Sequence, residues 1–161
     1  MATIKDISRY LNNNAVRFEV LSHQPAFTAH EVAVAVHVPD IELAKTLIVN
    51  IDGKQWMAVL AGNQRVSLRL LKRLFAANHI QLTHEEDLDA IFPGCERGAM
   101  PPFGNLYGLP VLVEQSITED EEIVFNAGKH TESVKIRFED FKRLVHPLVG
   151  QFAEARQDVE D

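Results

Sequence analysis

The sequence predicts an α+β fold in which a mixed, largely antiparallel β-sheet curls into a barrel surrounded by helices. At least six segments have the composition or alternation of strands, and four or five helical patterns lie between them. One pair of strand segments is joined by Asp52-Gly53, a dipeptide typical of tight hairpins. The length of 161 residues is that of one domain. We therefore expect one domain over residues 1–150, followed by an acidic tail over 151–161.

Helices are predicted from apolar residues at three- and four-residue spacing and from residues that can cap a helix. Thr28 followed by Glu31 is a capping-box pattern, and the helix that it starts should end before Pro39. Ser67 and Thr83 are each expected to cap a further helix. The predicted helices cover residues 2–13, 29–36, 68–77, 84–91 and 140–145.

Strands are predicted where apolar residues form short runs or alternate with polar ones. Both arms of the predicted hairpin are nearly continuous in apolar residues, so part of the hairpin should be buried on both faces. The segment 62–65 is expected to be a turn. The predicted strands cover residues 16–21, 45–51, 54–61, 80–82, 110–114, 123–128 and 133–138.

Composition and charge limit the classes of function. Hydrophobic residues make up 46% of the chain and charged residues 24%, which is ordinary for a globular protein. No run reaches the roughly 18–20 apolar residues that span a bilayer, and the N-terminus lacks a signal-peptide pattern. Cys95 is the single cysteine, so a disulfide within one chain is excluded and a cytoplasmic protein is expected. The net charge of −7 argues against a protein that coats nucleic acid through positive charge, and we expect neither DNA nor a membrane as a partner.

An unusual loop is predicted at residues 98–104, whose sequence is Gly-Ala-Met-Pro-Pro-Phe-Gly. Two prolines and two glycines within seven residues exclude a regular helix and a central strand. The remaining backbone N–H groups point where the turns direct them and could serve a ligand. The alternative is a tight surface turn without a function.

Sequence motifs of common nucleophiles and nucleotide loops are absent, including the Gly-x-Ser-x-Gly elbow, the Walker loop and the Gly-x-Gly-x-x-Gly loop. Cys95 lacks the context of a catalytic thiol. His23, His30 and His37 lie seven residues apart, which is not the spacing of a helical metal site, so we expect no metal. An enzyme with this sequence should position and polarise a reactive substrate with a lysine, a histidine and backbone N–H groups.

Four segments of the chain resemble the YbaK/ProX family, single-domain relatives of the editing insertion of bacterial prolyl-tRNA synthetases. They are residues 44–49, the loop 98–104, residues 125–128 with His130, and residues 140–144, in the family's order and spacing. The resemblance implies a β-barrel ringed by helices and a trans-editing aminoacyl-tRNA deacylase without a cofactor. Such enzymes hydrolyse the ester between a wrong amino acid and the 3′ end of a tRNA, typically the tRNA for proline. An aminoacyl-tRNA synthetase is a candidate partner.

The resemblance also implies roles for individual residues. Lys45 matches the family's near-universal lysine, which is expected to hold the terminal adenosine or its phosphate. Gly98 matches the glycine expected beside the aminoacyl carbonyl, and these two are the predicted catalytic residues. The predicted substrate-binding residues are Ala99, Met100, Pro101, Pro102, Phe103, Gly104, Asn126, Gly128 and His130.

A basic segment between residues 40 and 80 supplies candidates for tRNA binding on an otherwise acidic chain. Four basic residues are predicted to contact tRNA phosphates: Arg65, Arg69, Lys72 and Arg73. Two alternative functions stay open. One is a non-catalytic module that uses the same pocket to bind an amino acid, a nucleotide, a tRNA end or a partner protein. The other is a hydrolase of a different small ester or amide, which would act without tRNA.

Overall fold

The computed structural model describes residues 4–155. Within this range the helices are α1 (Ile4–Asn13), α2 (Ala29–Val36), α3 (Leu68–Phe75), α4 (Glu85–Ile91) and α5 (Phe138–Val145). The strands are β1 (Phe18–Ser22), β2 (Ala44–Ile51), β3 (Lys54–Ala61), β4 (Gln64–Val66), β5 (Ile80–Leu82), β6 (Val111–Glu114), β7 (Glu122–Lys129), β8 (Glu132–Arg137), β9 (Leu148–Gly150) and β10 (Ala153–Ala155).

The strands form three sheets in the described part of the chain. The five-stranded sheet has the order β5-β2-β3-β6-β9 and is mixed, because β6 pairs in parallel with both β3 and β9. The order β1-β8-β7 forms an antiparallel sheet, and β10 pairs with β4 in a two-stranded one. The predicted α+β class with mixed and antiparallel sheets is confirmed. The hydrogen-bonded sheets of residues 4–155 do not close into a barrel.

The five-stranded sheet is covered on both faces. Successive residues of a strand point to opposite faces, and β2 shows this directly: Ile48 packs in one core and Val49 in the other. Phe103 of the loop 98–104 belongs to the core on the first face, whereas Leu71 of α3 belongs to the core on the second. The loop and α3 therefore lie on opposite faces of this sheet.

Local sequence signals placed the hairpin and two helix starts correctly. The hairpin of β2 and β3 pairs from Ala44 with Ala61 to Ile51 with Lys54. The capping box is present, because Glu31 N donates to Thr28 Oγ1 at 3.1 Å and the Glu31 carboxylate accepts from the Thr28 N–H at 3.4 Å. Ser67 caps α3 by accepting from Leu70 N at 3.1 Å.

One local prediction is wrong and another is too long. His84 precedes α4, and the Thr83 hydroxyl donates to Gln55 Oε1 at 2.6 Å instead of capping the helix. The expected turn at 62–65 is present at residues 62 and 63, and strand β4 begins at Gln64. The short strand β9 was not predicted at all. Strands of three residues carry no periodic signal, because their pairing partners rather than their own sequence define them.

Residues 151–155, the start of the predicted tail, pack on the fold. Residues 153–155 form β10, and Phe152 is fully buried. The backbone N–H groups of Phe152 and Ala153 both donate to Glu114 Oε1 at 2.8 Å. The buried Glu114 carboxylate thus ties this segment to β6. Residues 156–161 of the predicted tail lie outside the described residues.

Candidate functional site

A cavity of about 150 Å³ lies where the start of β2 approaches the loop 98–104. Lys45, Gly98, Met100 and Asn126 all line it. A neighbouring cavity of about 290 Å³ shares four lining residues with the first, so the two form one cleft. The shared residues are Thr46, Leu47, Gly98 and Met100.

The cleft follows an edge of β2. Strand β5 pairs with β2 only from Val49 to Ile51 and leaves the beginning of β2 without that neighbour. Lys45, Thr46 and Leu47 line the smaller cavity in succession although neighbouring strand residues point to opposite faces. A cavity that touches three successive residues must run along the side of the strand.

The first half of the loop is held by a bulge in β7. Gly98 has φ +83° and Gly128 has φ +93°, a backbone region that glycine enters without strain. Gly128 lies where the pairing of β7 with β8 shifts register. Its N–H donates to Ala99 O at 2.8 Å, and its carbonyl accepts from Glu96 N at 2.8 Å. These paired bonds place Gly98 beside the cleft.

The second half of the loop turns into the core. Pro101, Pro102, Phe103 and Gly104 are all buried, and none of them lines the cleft. A Cβ on Gly104 would lie 2.6 Å from Val111 Cγ2, so this glycine serves close packing. Of the seven loop residues predicted at the site, the structure brings Gly98 and Met100 to the cleft, and Ala99 is buried behind them.

His130 flanks Gly98 from outside the set of cleft-lining residues. Its Nε2 lies 2.8 Å from the carbonyl oxygen of Arg97, which can only accept, so Nε2 carries the hydrogen. In the neutral ring Nδ1 then holds a lone pair, and it is buried without a hydrogen-bond partner among residues 4–155. A Cβ on Gly98 would lie 3.7 Å from His130 Cε1. The ring of Phe27 packs on His130 with centroids 4.8 Å apart.

Sequence reasoning missed several residues of the cleft. Thr46 lines both cavities, and its buried hydroxyl has no hydrogen-bond partner in the part of the chain that the structure describes. Phe27 lines the smaller cavity and is 69% exposed. Thr46 could have been predicted as a cleft residue, because it directly follows Lys45 in the sequence. Phe27 offered only its place before a capping box, which does not indicate a ligand site.

The larger cavity has a charged rim formed by Arg97 and Glu85. Arg97 contacts Asp89 at 2.8 Å and Glu85 at 3.2 Å. The hydrogen bond from Arg97 lowers the pKa of Asp89, and the same bond raises the pKa of Arg97. The arginine is therefore held in place as a cation at the edge of the cleft.

Cys95 is unsuited to be a nucleophile. Burial raises the pKa of its thiol, so the reactive thiolate is disfavoured at neutral pH. Its Sγ lies 3.8 Å from the Tyr107 hydroxyl. Over residues 4–155, no group of three or more His, Cys, Asp or Glu side chains could hold a metal ion. The described helices also include none that is long and apolar enough to cross a membrane.

The four basic residues predicted to contact tRNA lie away from the cleft. Arg65 is on β4 and Arg69 on α3, across the five-stranded sheet from the loop, and both pair with Glu154 at 3.7 and 3.8 Å. Lys72 lines a separate cavity, and Arg73 is exposed on α3. Contact between these residues and the part of a tRNA outside the cleft stays a prediction.

The fold and site define a class: an α+β protein whose cleft offers a lysine, an asparagine and loop backbone groups. Residues 23–144 match the aminoacyl-tRNA editing domain family, and the chain belongs to this family, which confirms the resemblance described above. The chain is 26% identical to the multifunctional Ser/Thr-tRNA deacylase ProXp-y of Escherichia coli (strain K12), with 88% of this chain and 87% of the relative covered.

The chain is also similar to a proline–tRNA ligase and to a solved structure. It is 32% identical over 103 residues to the proline–tRNA ligase of Sulfurihydrogenibium sp. (strain YO3AOP1), which is 63% of this chain and 18% of the ligase. A solved structure described as a candidate trans-editing enzyme for prolyl-tRNA synthetase has a TM-score of 0.80. It is 18% identical, with 94% of this chain and 96% of the other covered, and shows that the two share a fold.

Proposed function

We propose that the protein is a trans-editing aminoacyl-tRNA deacylase that hydrolyses the ester of a mischarged tRNA, with tRNA for proline as the first candidate. The observation that carries the proposal is the juxtaposition of Lys45, Gly98, Met100 and Asn126 around one cavity in a member of the editing family. The names of the relatives, a Ser/Thr-tRNA deacylase and a proline–tRNA ligase, support this choice of substrate.

The proposed chemistry needs no protein nucleophile, because an aminoacyl ester is already activated. Water adds to the carbonyl carbon, the ester C–O bond breaks, and the ribose oxygen leaves with a proton. The neighbouring ribose hydroxyl helps to activate the water. The protein orients the ester and stabilises the developing oxyanion through preorganised donors, without a metal.

Backbone geometry narrows the choice of oxyanion donors. The N–H of Ala99 donates to Glu96 O at 3.0 Å and is therefore used within the loop. Gly98 and Met100 line the cavity on either side of Ala99. We assign the oxyanion donors to the N–H groups of Gly98 and Met100, and we assign Lys45 to the terminal adenosine or its phosphate.

The size of the cavity favours a small amino acid. We place the amino-acid side chain in the smaller cavity of the cleft, whose volume of about 150 Å³ is below the roughly 300 Å³ at which pockets for drug-sized ligands begin. Alanine, cysteine, serine and threonine are therefore the preferred candidates for the side chain that is removed. One methylene is worth only about 1–3 kcal/mol in such a pocket, so members of this group that differ by one methylene should be removed at rates about 10- to 200-fold apart.

A panel of aminoacylated tRNAs tests the proposal. We expect the protein to release alanine, cysteine, serine or threonine from tRNA for proline and to leave correctly charged prolyl-tRNA intact. Binding of these tRNAs without loss of the ester would instead establish the non-catalytic module. Equal hydrolysis of small aminoacyl esters that lack tRNA would establish the other hydrolase. Adding prolyl-tRNA synthetase to the assay tests the candidate partner.

Replacement of Gly98 with alanine should impair turnover more than stability. The new Cβ has space, since its nearest contact is His130 Cε1 at 3.7 Å. The cost comes from φ +83°, which strains an alanine by about 1–2 kcal/mol. A shift of the loop that relieves this strain would displace the proposed donors. We expect kcat/KM for deacylation to fall up to about 100-fold.

Gly53→Ala provides the matched control for Gly98→Ala. Gly53 has φ +89°, and a Cβ there would meet nothing within 4 Å. It lies in the turn between β2 and β3, at the end opposite Lys45. We expect a similar loss of stability on urea denaturation and an unchanged kcat/KM. An equal loss of activity in both variants would remove Gly98 from the proposed site.

Replacement of Arg65 and Arg69 with alanine should weaken tRNA binding. Each lost phosphate contact releases fewer counterions, so the slope of log Kd against log salt should flatten by about 0.7–0.9 per contact. Filter binding over a salt series measures this slope. The control replaces Arg9 and Arg143, which each pair with an aspartate three residues away on their own helix. Unchanged binding of the first variant at low salt would exclude this surface.

A further inference from the structure

Two polar side chains that do not line the cleft are connected to Asn126, which does. Ser133 lies opposite Asn126 in the pairing of β7 with β8, and its Oγ is 3.3 Å from Asn126 Oδ1. The ring of His23 lies beyond Ser133, with Nε2 3.0 Å from Ser133 Oγ. Ser133 is fully buried, so its hydroxyl depends on these protein partners. The three side chains form a continuous relay that ends at the cleft.

The hydrogen bond between His23 and Gln24, at one end of this relay, has a fixed direction. His23 Nδ1 lies 2.8 Å from the carbonyl oxygen of Gln24, which can only accept a hydrogen bond. Nδ1 therefore carries a hydrogen whether the ring is neutral or charged. In the neutral ring Nε2 must accept from the Ser133 hydroxyl. In the protonated ring Nε2 donates to the Ser133 oxygen instead.

The Asn126 amide must change its orientation with the charge of His23, because the Ser133 hydroxyl has only one hydrogen to donate. With neutral His23, that hydrogen is used on Nε2, and Asn126 has to turn its NH₂ group towards Ser133 Oγ. With protonated His23, Ser133 is free to donate to Asn126 Oδ1. The end of the Asn126 amide that is left for the cleft is an acceptor in the first state and a donor in the second.

We propose that His23 and Ser133 are positioning residues that set the orientation of the Asn126 amide and thereby the polarity of the cleft wall. The ligand in this inference is the aminoacyl ester of the proposed function, on which this part of the inference rests. An α-ammonium group has hydrogens to donate and no lone pair. Neutral His23 therefore favours the ester, and protonated His23 opposes it.

His23 directly follows β1, and charged and titratable groups lie on β1 and on the segments next to it. The relay itself contains one titratable member, His23, because serine and asparagine do not titrate in this range. The surrounding groups are Glu19 on β1, Lys129, His130 and Glu132 at the β7–β8 turn, Lys135 on β8 opposite Glu19, and Lys45 across the cleft.

Side-chain NMR of the free, full-length protein tests the relay without tRNA. A pH series records the ring nitrogen shifts of His23 and the side-chain NH₂ signals of Asn126. We expect the Asn126 signals to move with the same midpoint as the His23 ring in the wild type. In Ser133→Ala, His23 should still titrate while Asn126 no longer follows. Asn126 signals that ignore His23 in the wild type would overturn the proposal.

The pH dependence of KM for deacylation is the second test of the relay. On a mischarged tRNA, KM should rise about two- to tenfold as His23 becomes protonated, with kcat little changed. This rise should be absent in His23→Gln and Ser133→Ala. It should persist in the control His79→Gln, since the exposed His79 lies at a separate cavity. A wild-type KM profile in Ser133→Ala would overturn the relay.

The two arms separate the relay from the proposed function. Coupled titration of His23 and Asn126 in a protein that hydrolyses no aminoacyl-tRNA would retain the relay and reject the deacylase. Normal deacylation by a protein in which Asn126 ignores His23 would reject the relay and retain the deacylase.

Discussion

Replacing Lys45 with alanine is expected to lower kcat/KM for deacylation of a mischarged tRNA by about 100-fold or more, the loss that follows when the reacting groups are displaced by about 1 Å. Lys45 is the second residue of β2, is half-buried, and lines the cavity together with Gly98. Its removal would leave the 3′ end without the cation that orients the ester. Single-turnover hydrolysis of radiolabelled aminoacyl-tRNA measures the effect.

Two further variants are the controls for Lys45→Ala. Lys45→Arg keeps the charge but replaces a compact ammonium with a planar group, so an intermediate rate is expected. Lys142→Ala removes a lysine that is exposed on α5, and the wild-type rate is expected. Equal melting temperatures for all three would exclude unfolding as the cause. Wild-type turnover in Lys45→Ala would contradict the assignment of this cleft as the active site.

Replacing Phe103 with alanine is expected to lower the free energy of unfolding by about 3–5 kcal/mol, the usual cost of a large cavity in a packed core. The ring is fully buried and packs on three other aromatic rings. Its centroid lies 5.5 Å from that of Tyr10, 5.3 Å from Phe125 and 5.8 Å from Phe141. The loss would thus loosen contacts between the loop, α1, β7 and α5. Urea denaturation measures it.

Phe27→Ala is the matched control for Phe103→Ala, because it removes the same side chain from a site that is 69% exposed. A change of less than about 0.5 kcal/mol in unfolding free energy is expected there. Comparable losses for the two phenylalanines would show that Phe103 does not anchor the loop. Phe27 also borders the smaller cavity, so its variant doubles as a probe of tRNA affinity.

Features with local causes were predictable from the sequence. Asp52-Gly53 specifies its hairpin because few dipeptides adopt the backbone of such a turn. Thr28 and Glu31 specify the start of α2 because both capping partners lie within four residues. Strands β4 and β10 escaped prediction because they depend on each other, across more than 80 residues of chain.

The site was predictable only in part, because it too depends on contacts between residues that are far apart in the chain. The prolines and glycines of residues 98–104 indicate a loop, yet they do not indicate which half of it is buried. That outcome depends on Phe103 meeting rings from α1, β7 and α5. Lys45 and Asn126 were selected through the family resemblance, since neither residue type marks a site by itself. Phe27 could be recognised as a cleft residue only from the structure, whereas Thr46 had its position beside Lys45 as a signal.

The paired hydrogen bonds between Gly128 and residues 96–99 bear on how the proposed deacylase would distinguish one amino-acid side chain from another. Ala99 and Ala127, on either side of this contact, are fully buried. This part of the cleft wall is thus anchored in packed structure. In the proposed deacylase such a wall would act as a rigid sieve that rejects amino-acid side chains too large to enter, without induced fit.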